Sequence, residues 1–361
     1  MVKLRVNKKA SKKTSKKKAT KKPTVDKKKL AALEAVVKKV NKSLGKDGAV
    51  FLGSQHKTFT RMGTGIVALD FVIGGGLPRG QMTMFSGEDS TAKTMCSILS
   101  AAKVQREGGT VVWVAGEGFD REWAESHGVD LDSIFVIQAD TGDVALESAI
   151  SLMEEAPVDL LVIDSVQSLG TTREMEDGVD QESYGNAGAP QMWGRIMRRC
   201  YAAMNKMEQG QETAIIAISQ VRSAVGKRGF RGMTPDPESS GIKALKHWKA
   251  VEVFFKKGDY DYEGDKEKRN ITRRQFKLKN LKNKTATPHR ESSFDFYPRT
   301  RKVDNRITAV RLAKAFGFVE NKGAWYKGYG VRAQGERAFA DKLDPSVLRK
   351  MVQEVNRQAA E

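Results

Sequence analysis

The sequence predicts an α/β fold: a twisted, mostly parallel sheet flanked by helices, with an N-terminal helix–strand extension and a small α/β C-terminal domain. Three observations predict it. From Thr64 onward, short apolar runs alternate with helical periodicities, the signature of parallel strands joined by right-handed crossovers. One such run leads into Gly87-Glu88-Asp89-Ser90-Thr91-Ala92-Lys93-Thr94, the strand–loop–helix pattern G-x-x-x-x-G-K-[ST] with Ala92 in place of the second glycine. A third run, residues 160–164, ends in the carboxylate of Asp164 roughly seventy residues later, the spacing of a βαβα unit.

Composition bounds the rest. The 361 residues are 39% hydrophobic with few aromatics, and no apolar run approaches the length of a membrane span. Cys96 and Cys200 have no metal-like spacing and read as buried thiols in a reducing compartment. The net charge is +19, and +13 of it lies in the first thirty residues. That Lys-rich tail cannot bury enough apolar surface to fold, so residues 1–25 are expected to be disordered. It lacks the apolar centre of a secretory signal. A polyanion tether is preferred over a merely solubilising tail, because counterion release favours nucleic-acid binding.

The elements follow in order. Residues 26–60 hold a helix, with Leu30, Leu33, Val36, Val37, Val40 and Leu44 at helical spacing, and a short strand at 49–52. Spacing alone leaves open whether this pair packs on its own core or on a neighbouring subunit. A main domain is expected over 61–300, with strands at 110–115, 134–138, 160–164 and 213–219 and helices at 93–106, 121–127, 143–155 and 190–208. Runs at 248–255 and 273–281 follow, and 301–361 reads as the C-terminal domain. Two long glycine-rich, charged connections, 170–188 and 221–240, are expected to be functional or disordered.

Successive N–H groups of the loop at 87–92 and the following helix N-terminus form an anion site; Lys93 adds a point charge and Thr94 a hydroxyl for Mg²⁺. The Ala92 methyl is expected to weaken nucleotide binding. Asp164 is placed to hold Mg²⁺ through its water shell, on a strand expected beside the phosphate strand. Glu117, between Gly116 and Gly118 past a strand end, is placed to activate water; the competing reading is a solvated loop acid. Gln220, also at a strand end, can report a γ-phosphate to the next loop. There Arg222, Lys227, Arg228, Phe230 and Arg231 combine phosphate-binding cations with a stacking ring, as single-strand binding requires.

These residues, with the ordered segments 73–81, 115–130, 137–147, 162–169, 218–222, 244–246, 282–288 and 323–326, resemble the bacterial RecA family of recombinases over about residues 39–352. The divergence and the tail suggest a phage-encoded relative. The resemblance implies a RecA-like P-loop NTPase core using ATP and Mg²⁺. It makes Glu117 the water-activating glutamate, and Asp120 and Trp123 the adenine contacts. Lys282 and Lys284 would reach the ATP of the adjacent subunit, Lys246 would join that intersubunit site, and the early helix and strand would dock on the next protomer. Residues 170–188 and 221–240 would be the DNA-binding loops. The chain departs from the family at Ala92, at 238–241, at His247 in place of an aromatic, and in an acidic first loop; these bear on ATP–DNA coupling rather than on the fold.

The implied function is a DNA-dependent ATPase that forms helical filaments on single-stranded DNA and promotes pairing and strand exchange with duplex DNA. The implied setting is cytoplasmic and nucleoid-associated, with single-strand-binding and mediator proteins as partners and no membrane. The alternatives are a ring helicase, a filament-remodelling factor, an ATP-binding DNA coat with little turnover, or a basic architectural protein acting through its tail.

Overall fold

The computed structural model describes residues 26–43, 50, 58–170, 172, 188–206, 211–221, 245–264 and 270–360. The N-terminal tail, most of the strand expected at 49–52, nearly all of the first long connection and the second from Arg222 onward lie outside the described residues. The described residues up to Thr58 and those from Phe59 form separate compact units.

In the first unit, α1 (Lys27–Ser43) buries none of its residues, and Leu33 and Val36 are exposed. Its periodicity makes a helix, and among the described residues of this unit its apolar stripe is left uncovered.

The second unit is built on a nine-stranded sheet. Its parallel part comprises β3 (Met82–Gly87), β4 (Val111–Ala115), β5 (Ile134–Ile137), β6 (Leu160–Asp164), β7 (Ala214–Gln220) and the first half of β8 (Lys249–Glu263). The antiparallel strands β9 (Asn270–Asn283), β10 (Glu291–Tyr297) and β11 (Lys302–Val303) extend one side. The order is β11-β10-β9-β8-β3-β7-β6-β4-β5. A two-stranded ladder, β1 (Arg61–Met62) with β2 (Leu77–Pro78), precedes β3.

The central strands are apolar on both faces, as a sheet covered by helices on both sides demands. Val111, Trp113, Leu160, Val162, Ile216 and Ile218 face one core, shared with α2 (Val67–Ile73) and α3 (Lys93–Arg106). Val112, Val114, Leu161, Ile163, Ile215 and Ala217 face the other, shared with α5 (Gly142–Glu155) and α6 (Gly188–Met204). A short helix, α4 (Arg121–Ser126), follows β4, and α7 (Leu245–Trp248) leads into β8.

One expectation is corrected. β6, which carries Asp164, is not beside β3: β7 lies between them, with Phe85 opposite Ile218 and Ile163 opposite Ala217. The uninterrupted apolar run of β7 suits a position buried on both faces and both edges.

After β11, α8 (Asn305–Ala315), a small antiparallel sheet of β12 (Glu320–Lys322), β13 (Trp325–Gly328) and β14 (Val331–Gln334), α9 (Glu336–Lys342) and α10 (Pro345–Ala360) complete the unit. Helices α8 and α10 pack on α2 through the first core.

Candidate nucleotide site

β3 ends at Gly87, where an added Cβ would lie 2.5 Å from the Phe255 carbonyl oxygen, so only glycine lets β8 run alongside. The chain returns to α3 through two left-handed residues, Ser90 (φ 57°) and Ala92 (φ 73°). Ala92 is the N-cap of α3 and offers no side-chain acceptor to the first helical turn, whose N–H groups are thereby available to an anion. Lys93 is buried with its Nζ donating to Gly87 O at 2.9 Å and Glu88 O at 2.7 Å. Thr91 Oγ1 closes the loop by donating to Glu88 O at 2.8 Å. Burial holds the Lys93 ammonium below the usual lysine range; the charges of Asp89, Asp164 and Glu117 oppose this, and that of Lys257 adds to it.

Asp164 reaches this loop from β6 despite the intervening strand. It accepts a hydrogen bond from the Thr94 side chain, and burial raises its carboxyl to about 6, with Glu117 adding to the rise and Lys93 opposing it. Thr94 and Asp164 are hard oxygen donors of the kind Mg²⁺ takes alongside phosphate oxygens. Among the described residues, no group of three or more His, Cys, Asp or Glu could hold a metal by itself.

Glu117 follows β4, and its backbone N–H donates to Asp164 O at 3.2 Å. Its carboxylate is engaged from two sides: Ser165 Oγ donates to Oε1, and Gln220 Nε2 lies 3.1 Å from Oε1 and 3.3 Å from Oε2. At Gly116 beside it an added Cβ would lie 2.2 Å from Ser168 Oγ and would force that hydroxyl to turn away. The phosphate loop, Thr94, Asp164, Glu117 and Gln220 are thus gathered at the carboxyl ends of the strands, where open α/β sheets bind ligands.

The lysines are elsewhere. Lys282 pairs with Glu252 and Asn283 with Val251, whereas Gly87 pairs with Phe255. About 10–13 Å of strand separates the two levels. Lys282 Nζ donates to Lys246 O at 2.7 Å, and Lys284 and Lys246 are exposed. Burial, then the charges of Lys284, Lys249 and Lys246, hold the Lys282 ammonium below its ordinary value, partly offset by Glu252. His247 is exposed beside them.

With this geometry in view, comparison with known proteins decides the family. The RecA N-terminal domain family matches residues 31–300. The chain belongs to the RecA family. It is 30% identical over 319 residues to Protein RecA of Francisella tularensis subsp. novicida (strain U112), covering 86% of this chain and 84% of that relative. The same figures hold for Protein RecA of Francisella tularensis subsp. tularensis (strain WY96-3418). The α/β sheet flanked by helices is the fold of this family.

In this RecA-family chain, Asp120 caps α4, its Oδ1 accepting from Trp123 N–H at 2.9 Å. Trp123 packs against the His127 ring at 4.2 Å, and the Arg301 guanidinium lies 5.7 Å from its centroid. Asp120 therefore has a structural task that the sequence did not announce. Arg222, Lys227, Arg228, Phe230 and Arg231 lie outside the described residues. Sequence reasoning missed Ser165, Ser168 and Lys257. Ser165 directly follows the apolar strand that ends at Asp164, and Ser168 lies three residues further on in the turn beyond it. Lys257 stands two residues beyond Phe255, where β8 outruns the phosphate strand.

Proposed function

We propose that the chain is a DNA-dependent ATPase of the recombinase kind, assembling head to tail on single-stranded DNA and promoting homologous pairing and strand exchange with duplex DNA. The observation that carries this reading is the separation of Lys246, Lys282 and Lys284 from the phosphate loop along β8 and β9. Within one chain the two stand at different levels of the sheet, which favours a nucleotide shared between copies. A neighbour presenting its lysines to the loop of the next copy completes the site, as cations supplied in trans do in phosphoryl transfer.

Within such a seam the loop N–H groups and Lys93 hold the phosphates, while Asp120 and Trp123 receive the base. Thr94 and Asp164 would hold Mg²⁺, which neutralises developing charge when bound. Glu117 accepts the proton of the attacking water, and Gln220 leaves Glu117 for the γ-phosphate, passing its presence to the stretch from Arg222 onward. Lys227, Arg228, Phe230 and Arg231 grip the strand there. The exposed stripe of α1 and the exposed Phe135 and Val136 on the edge strand β5 are each suited to a second copy. A cytoplasmic setting with single-strand-binding and mediator partners fits; among the described residues, no helix is long and apolar enough to cross a membrane.

The engagement of both Glu117 oxygens favours a second reading, an ATP-binding DNA coat with scarce turnover. Steady-state ATPase with and without single-stranded DNA, paired with negative-stain imaging in a slowly hydrolysed ATP analogue, separates the two. The recombinase reading expects helices and DNA-stimulated hydrolysis. Helices without hydrolysis would favour the coat, and closed rings or no assembly would sink both.

A further inference from the structure

Gln167 lies in the turn after β6, and its amide clasps the end of β7. Its Oε1 accepts from the Gln220 backbone N–H at 3.2 Å, while its Nε2 donates to Gln220 O at 3.1 Å and to Ser219 Oγ at 2.6 Å. A side-chain amide that meets both backbone groups of one residue reproduces the pairing another strand would give. On its other side the same strand end is tied to the phosphate loop. Gln220 pairs with Gly87 across β3 and β7, and Val221 N–H donates to Gly87 O at 3.0 Å. Gly87 O also accepts from Lys93 Nζ. The Gln220 backbone is therefore held between the phosphate loop and Gln167, while its side chain rests on Glu117.

We propose that Gln167 is a positioning residue that fixes the backbone pivot from which the Gln220 side chain moves between Glu117 and the nucleotide. The proposal rests on the DNA-dependent ATPase reading above. A flexible side chain swinging from a loose strand end could reach either acceptor by many paths, so its position would carry little information in either direction. With the backbone clasped, the side chain has few ways to bridge, and a change on the far side of Val221 is felt at Glu117. The clasp also joins the turn after β6 to the end of β7, the points from which the two stretches assigned to DNA depart. Its amide meets Ser219 and both backbone groups of Gln220, so its route to the site runs through Gln220.

The test is steady-state ATPase of the full chain with and without single-stranded DNA. Gln167→Ala is expected to lower the ratio of DNA-stimulated to DNA-free turnover about tenfold, the size expected from one to two net hydrogen bonds. Gln167→Glu keeps an acceptor for the Gln220 N–H but sets a carboxylate against the Gln220 carbonyl, and its ratio should fall at least as far. Ser219→Ala removes one partner only, so its fall should be smaller and should add nothing in the Gln167→Ala background. A purely structural role would lower both rates together and leave the ratio alone, which would overturn the proposal. So would an unchanged ratio in Gln167→Ala beside a stimulated wild type. A wild-type chain whose turnover DNA does not raise would overturn the ATPase reading, and the clasp with it.

Discussion

Ala92 holds a left-handed backbone at φ 73°, with its methyl partly buried against the first hydrophobic core. Placing an L-residue there costs about 1–2 kcal/mol, against about 0.5–1 kcal/mol of extra chain entropy lost by glycine on folding. With the lost packing of that methyl counted as well, Ala92→Gly should stabilise the ligand-free protein by no more than about 1 kcal/mol, read from denaturant midpoints at unchanged slope. Asp164 carries a cost of the same sign at neutral pH. Its folded carboxyl is raised from 3.8 to about 6, so the stability it contributes is full below the lower value and is lost as pH rises through the upper one. The ligand-free fold thus bears a cost on the order of 2–3 kcal/mol at neutral pH. Asp164→Asn is expected to raise the unfolding free energy at pH 7.5, with the gain shrinking toward pH 4, while hydrolysis is lost. Unfolding at both pH values checks the sign. The phosphate loop was legible because its spacing is dictated by the ligand. Ser165 and Ser168 were not, because their roles depend on which strand ends converge, and convergence is a property of the sheet.

Most of the buried strands and helices that were read match to within a residue or two, but α6 stops at Met204 rather than 208 and the wholly buried α2 was not read. α3 spans the residues its periodicity predicts, and β6 coincides with its apolar run. β8 and β9 instead continue well past their apolar halves as an exposed antiparallel hairpin, held by ladder hydrogen bonds and by Arg273 bridging Asp261 and Asp295. Hydropathy cannot see a strand that is paired without being buried, so that extension was unreadable. The edge strand β5 presents the opposite case: an apolar side chain, Phe135, that stays 63% exposed. Phe135→Asp should change monomer stability by no more than about 0.5 kcal/mol. If β5 meets a second copy, the same change should abolish ATP-dependent assembly measured by light scattering. Normal assembly of that variant would remove β5 from the interface.

At the scale of the whole molecule, the sequence resemblance told which lysines matter, but only the register of β8 against β3 and β9 tells that they stand apart from the loop they would serve. A complementation experiment follows. Lys93→Ala lacks the loop cation and Lys284→Ala lacks the cation offered to a neighbour, so each alone should be inactive. Mixed one to one before assembly, about a quarter of the junctions between copies in a head-to-tail array would join an intact loop to an intact donor, and about a quarter of wild-type hydrolysis should return. No recovery at any mixing ratio would place all the needed groups within one chain.

If copies assemble head to tail as proposed, the same separation would give the polymer unequal ends. The copy at one extremity would have a complete phosphate cradle and no donor to face it, so a polymer of n copies would own n − 1 working hydrolysis centres. Specific activity should climb with polymer length, steeply for the shortest oligomers and then to a plateau. The outermost cradle would keep its triphosphate unspent, marking the tip where the next copy can add.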